Sequence, residues 1–219
     1  MPVVALVGYT NAGKSTLLNR LTNADIPAND RLFDTLDTTT RRLKVDEAQE
    51  VLLSDTVGFI RKLPHHLVEA FKATLEELSY ADVLLHVIDL SNPEWETQAE
   101  VVDRLIDQLG AAQTPCIRVF NKCDAYLGIL PHGENIACIS ARTGEGTQTL
   151  LDMISKTLAR QNRRAVLHIP YTEGALTELL HRECAVLRTE YLEDCVEIEA
   201  VIKPEHWGRV SPYAVSDAH

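Results

Sequence analysis

The run Gly8-Tyr9-Thr10-Asn11-Ala12-Gly13-Lys14-Ser15 fits G-x-x-x-x-G-K-[ST], a spacing that holds phosphates. Its two glycines permit a tight turn whose backbone N–H groups converge on phosphate oxygens. Lys14 is long enough to reach a β- or γ-phosphate, and the Ser15 hydroxyl is a hard oxygen donor suited to Mg²⁺. Thr16 follows in the first turn of the expected helix, whose N-terminus adds partial positive charge.

Three further motifs follow in order. In Asp55-Thr56-Val57-Gly58 the aspartate suits a Mg²⁺ role, directly or through water, and Gly58 offers an unobstructed N–H to a γ-phosphate. Alone, D-x-x-G is usually a turn; downstream of a phosphate loop it has a task. In Asn121-Lys122-Cys123-Asp124, the Asp124 carboxylate can accept two hydrogen bonds from guanine's N1–H and exocyclic amine. Adenine arranges its donors differently. Asn121 can bond the base edge, and the Lys122 stem can cover its face. Ser140-Ala141-Arg142 completes the set, with the Ala141 N–H available to the guanine carbonyl oxygen. The four motifs together predict GTP and GDP as ligands and Mg²⁺-dependent hydrolysis, with Lys14 and Gly58 acting on the γ-phosphate. A threonine is still needed for the Mg²⁺ shell, and Thr35, Thr38, Thr39 and Thr40 are candidates. Thr35, 35 − 14 = 21 residues after Lys14, has the favoured spacing.

The elements that must position these residues follow from apolar patterning. Residues 3–8, 83–89, 116–121 and 136–140 read as buried strands, and 42–46 with 51–55 as a strand pair. Helices are expected over 14–21, 94–109 and 147–159, and along the 67–78 stretch that opens after Pro64. In the second of these, Val101, Leu105, Ile106 and Leu109 would form the apolar stripe. Strands alternating with helices predict an α/β domain over residues 1–160, with a doubly wound, mostly parallel sheet and the motifs at its C-terminal strand ends. From about residue 161 the rhythm changes. A strand at 166–169, a helix at 172–183 and a hairpin from 186–191 and 196–202 predict a small α+β domain over 161–219. It is near the lower size limit for folding alone.

Composition removes several alternatives. A net charge of −11 argues against a general electrostatic grip on nucleic acid, leaving only local contacts such as Arg41, Arg42 and Lys44 or Arg160, Arg163 and Arg164. Five cysteines without C-x-x-C spacing predict small buried residues in a reducing compartment, not a zinc site or disulfides. No apolar run approaches the roughly 20 residues of a membrane span, and no secretory signal opens the sequence. A cytoplasmic monomer is the expectation.

Taken with FDTLDTTTRRL, DTVGFI and the tail LHIPYTEGALTELLH…EYLEDCVEIEAVI, these motifs resemble the HflX family of translation-factor-related GTPases along essentially the whole chain. The resemblance implies a first switch at Phe33, Asp34, Thr35, Leu36 and Asp37, with Thr35 on Mg²⁺, and association with the large ribosomal subunit. Members carry an N-terminal domain before the strand that here starts at Val3, so the chain reads as lacking it. Asp34 stands where many members have a small residue. Phe59 stands where many small GTPases have a water-orienting glutamine, which predicts slow intrinsic turnover. Asn11 matches the phosphate-loop asparagine with which related GTPases bind an activating K⁺, the candidate second cation.

Overall fold

The structure is a computed structural model, described for residues 1–23, 39–47, 49–55 and 77–217. The chain divides into two compact units, Met1–Thr157 and Leu158–His219.

Among the described residues the first unit contains six strands: β1 (Val3–Gly8), β2 (Thr39–Lys44), β3 (Glu50–Asp55), β4 (Val83–Asp89), β5 (Cys116–Asn121) and β6 (Ile136–Cys138). Their order is β2-β3-β1-β4-β5-β6, with β2 antiparallel to β3 and every other neighbour parallel. Between them run α1 (Lys14–Thr22) and α2 (Trp95–Gln108), and α3 (Thr147–Ala159) follows β6. Ala5, Val7 and Leu84 pack with Val102 and Ile106 of α2, while the alternate Val4 and Leu6 are also buried. Burial on both faces is why these strands read as continuous apolar runs. The expected doubly wound α/β class is what forms. The chain leaves β1 first towards β3 and later towards β4, so the C-terminal end of β1 is a topological switch point, where such sheets bind ligands.

The observed elements depart from the expected ones in three places. On α2 the buried residues are Ala99, Val102 and Ile106, while Val101 is only partly buried. Ile106, Leu105 and Leu109 of the expected stripe do pack against the core, and at the adjacent apolar pair Val101 and Val102 packing on the sheet selects Val102, a choice that residue order leaves open. Strand β2 starts at Thr39, not Arg42, since its register runs from Thr39 opposite Asp55 to Lys44 opposite Glu50. Strand β6 ends at Cys138, before Ile139 and Ser140. The expected helix over 67–78 falls outside the described residues up to 76, and Glu77–Tyr80 form a 3₁₀ turn.

The second unit is a four-stranded antiparallel sheet of β7 (Arg163–Pro170), β8 (Ala185–Tyr191), β9 (Cys195–Ile202) and β10 (Ala214–Asp217), in the order β10-β7-β9-β8. Helix α4 (Gly174–Glu183) precedes the expected hairpin, and α5 (Pro204–Val210) follows it. On β9, Val196, Ile198, Ala200 and Ile202 are buried and alternate with partly exposed residues, which is the signature of a sheet covered on one face. They pack with Leu176 and Leu180 of α4 and Val210 of α5. The last helix and strand are unanticipated additions. Pro204 is suited to the first turn of α5, and Arg163 lies 4.8 Å from the ring centroid of Trp207 on that helix.

Candidate functional site

The phosphate loop joins β1 to α1. Gly13 has φ 95°, a left-handed conformation, and a Cβ there would stand 2.3 Å from Asn121 Nδ2. A Cβ at Gly8 would meet the Val87 carbonyl oxygen at 2.4 Å. Both glycines are therefore required by close approach as well as by backbone freedom. Helix α1 starts without a side-chain cap and without acidic residues in its first turn, leaving its N-terminal N–H groups for an anion. Buried Lys14 donates from Nζ to Gly8 O at 3.1 Å and Tyr9 O at 3.2 Å.

Ser15 Oγ donates to Asp55 Oδ2 at 2.8 Å, which brings the first two motifs together across β1 and β3. Asp55 is 1% exposed, and its Oδ1 is buried with no hydrogen-bond partner. An orphaned carboxylate oxygen beside a hydroxyl is a donor set that fits Mg²⁺, which binds few protein oxygens and takes others from phosphate and water. Thr39 and Thr40 belong to β2, and Thr40 Oγ1 contacts Ser54 Oγ at 3.5 Å. Thr35, with Phe33, Asp34, Leu36, Asp37, Thr38, Thr56, Val57, Gly58 and Phe59, lies outside the described residues.

Asn121 ends β5 and ties the loops together. Its Nδ2 donates to Ala12 O at 2.9 Å, and its Oδ1 accepts from the Ala141 N–H at 2.9 Å. Asn121 braces two loops, and the Ala141 N–H is turned to that brace. Lys122, at φ 63°, donates to Asn11 O at 2.9 Å and to Asp89 Oδ2 at 2.6 Å. Asp124 pairs with Arg142, and a hydrogen bond from Ser140, reinforced by Arg142, holds its carboxyl below the usual carboxylate range.

Phosphate and base motifs therefore meet at one end of one sheet. A model of the "50S ribosome-binding GTPase" family matches residues 3–122, which is more than half the chain. The chain belongs to that family. The resemblance to HflX also stands. The chain is 46% identical to a GTPase HflX of Lacrimispora saccharolytica over 94% of its own length and 49% of the relative's. For the HflX of Escherichia coli the figures are 41%, 89% and 47%. The chain thus spans about half the length of the curated relatives it matches. Among solved structures, a Sulfolobus solfataricus GTP-binding protein in complex with GDP is 28% identical, with a TM-score of 0.60 over 71% of this chain and 52% of that one. A single-substitution variant of Aquifex aeolicus Era bound to GDP·AlF₄⁻ is also 28% identical, with a TM-score of 0.56 over 72% and 57%.

Within this member of the family, two side chains at the site escape the sequence motifs. Asp89, at the end of β4, holds the Lys122 ammonium and also accepts from Ser91. Arg20 of α1 donates from Nε to Ala141 O at 3.0 Å and from Nη2 to Arg142 O, clasping the base loop. Asp89 has a signal, a carboxylate at a strand end. Arg20 has none, because its partners lie more than 120 residues away.

Burial pushes the Lys14 ammonium down to about 8, although the Asp55 carboxylate pulls it upwards. Burial also raises Asp55, partly offset by Lys14 and the Ser15 hydrogen bond. A bound diphosphate favours protonated Lys14, so its pKa rises on binding and a proton is taken up. Affinity for GDP should be flat just below pH 8 and fall above it, about tenfold per pH unit at the limit. Calorimetry at pH 8 in buffers of different ionisation enthalpy should register roughly half a proton taken up per GDP. Equal affinity at pH 7 and pH 9.5 would mean that Lys14 does not titrate in the empty loop.

Proposed function

We propose that this chain is a nucleotide switch that binds GTP and GDP and hydrolyses GTP to GDP and phosphate with Mg²⁺. The observation that carries the reading is the convergence of Lys14, Ser15 and Asp55 with Asn121, Asp124 and Ser140 on one end of the sheet, supported by the family match. In this reading Gly8 to Thr16 wrap the phosphates, and Lys14 exchanges its carbonyl partners for β- and γ-phosphate oxygens. Ser15 and Thr35, with Asp55 nearby, would hold Mg²⁺, which would supply positive charge to those oxygens. The N–H of Gly58 receives the γ-phosphate, and the flanking residues 33–37 and 56–58 report which nucleotide is present. Asp124 reads guanine once Arg142 releases it, while Asn121 and Arg20 keep the two loops in register.

Hydrolysis of GTP but not ATP, dependent on Mg²⁺, tests the activity directly. A second reading, motivated by Phe59, is a module that senses GTP and GDP with negligible turnover. Single-turnover hydrolysis with and without large ribosomal subunits separates the two.

The partner in this proposal is the large ribosomal subunit, and the setting is the cytoplasm; the HflX resemblance supports both. Among the described residues no helix is long and apolar enough to cross a membrane. Co-sedimentation with large subunits should be stronger with a non-hydrolysable GTP analogue than with GDP. Equal pelleting in both states would detach docking from the switch, and none in either would remove the ribosome.

Asn11 supplies the cation expectation. It sits at φ 63° with an exposed side chain at the phosphate loop. Exchanging K⁺ for Na⁺ at constant ionic strength should slow turnover roughly tenfold, and Asn11→Ala should abolish the difference. Identical rates in the two salts would leave Asn11 as a loop residue only.

A further inference from the structure

In the sheet β10-β7-β9-β8, β8 is an edge strand that pairs, among the described residues, with β9 alone. Edges of this kind present a row of main-chain donors and acceptors that another strand can complete. Leu192 N–H donates to Cys195 O at 2.9 Å, in register with the pairs Glu190 to Glu197 and Arg188 to Glu199. By the alternation of an antiparallel ladder, Arg188 and Glu190 turn their main-chain groups to β9. Thr189 and Tyr191 turn theirs to the free edge.

The side chains on this edge are mostly exposed, with Val186 and Thr189 partly buried, and their types mirror one another about Thr189. Leu187 is 53% exposed, Tyr191 76% and Leu192 40%. Reading outward from Thr189, Arg188 is matched by Glu190, Leu187 by Tyr191, and Val186 by Leu192. We propose that two copies of this chain pair antiparallel through their β8 edges, about a two-fold axis at Thr189. In that register Thr189 faces its own copy as a hydrogen-bonded pair, and Leu187 faces Tyr191 of the second copy. Arg188 then stands opposite Glu190 of the second copy in the non-hydrogen-bonded positions, where side chains approach most closely.

Charges on edge strands ordinarily keep other strands away. Here the two charges are of opposite sign and symmetry-related, so the pairing that brings copies together also matches them. Arg188 already reaches Glu190 of its own strand at 2.6 Å, and the second copy would turn that pair into a four-member array. The register shift between Val186 and Arg188 limits how far the new ladder can extend. With so short a ladder and a net charge of −11 on each copy, the association is weak and reversible.

Sedimentation velocity of the 219-residue chain, from about 10 µM to 1 mM, tests this in the weak-interface range. The expected weight-average mass rises with concentration from 24.4 kDa towards twice that value. Arg188→Glu and Glu190→Arg should each stay monomeric, since each sets like charges opposite one another across the axis. An equimolar mixture of these two variants should associate again, because every cross-axis pair then joins opposite charges. The double exchange within one chain should also restore association. A variant that had merely misfolded could not be rescued by mixing. A constant mass of 24.4 kDa for the unmodified chain at all concentrations would overturn the proposal. So would single variants that associate as the unmodified chain does, or a mixture that fails to associate.

Discussion

Asp124→Asn should weaken GTP binding roughly 10²–10⁴-fold while improving binding of xanthosine triphosphate. The carboxylate accepts from guanine's N1–H and exocyclic amine; an amide accepts only one and presents its own N–H₂ to the other. Xanthine carries a carbonyl where guanine has the amine, so the amide donor then finds an acceptor. Asp124 is accessible, and its contacts are with Ser140 and Arg142 side chains, so the substitution leaves the core intact. Fluorescent-nucleotide titration with GTP, ATP and xanthosine triphosphate reads the outcome. A variant that keeps full preference for GTP would move base recognition away from Asp124.

A second large effect is expected at Lys14. Lys14→Met keeps the length and apolar stem of a buried side chain but removes its charge and three donors. Single-turnover hydrolysis should fall about 10²–10³-fold, the usual loss when one electrostatic stabiliser of the transition state is removed. The fold should survive, because the ammonium's hydrogen bonds among the described residues are to the carbonyls of Gly8 and Tyr9, and Asp55, already raised by burial, can take up a proton once the Lys14 charge is gone. Circular dichroism and the melting temperature check that separately. Turnover within threefold of the unmodified protein would place γ-phosphate stabilisation on other groups.

Elements with a strong local code are legible in the residue order. Strands β1 and β4 are buried on both faces and so appear as near-continuous apolar runs, and β9 alternates because one face is solvated. Features without such a code were decided by neighbours. The buried side of α2 is Val102, not Val101, because the sheet beneath selects it. Helix α5 has too few residues for a periodic pattern, and its place follows from Trp207 and Val210 packing with the second sheet.

The site divides along the same line. Phosphate-loop chemistry is written in consecutive residues, because a loop and helix N-terminus that bind an anion use their own backbone. Residue order alone therefore groups Gly13 with Lys14 and Ser15, and apolar patterning puts Asp55, Asp124 and Ser140 at strand ends. Which of these groups touch was a matter for tertiary packing. The Ser15–Asp55 bond spans 40 positions, the Asn121 brace joins Ala12 to Ala141, and Arg20 reaches across to the base loop. Those contacts are set by the order of strands in the sheet, which brings distant segments to one edge. No local pattern of residues encodes that adjacency.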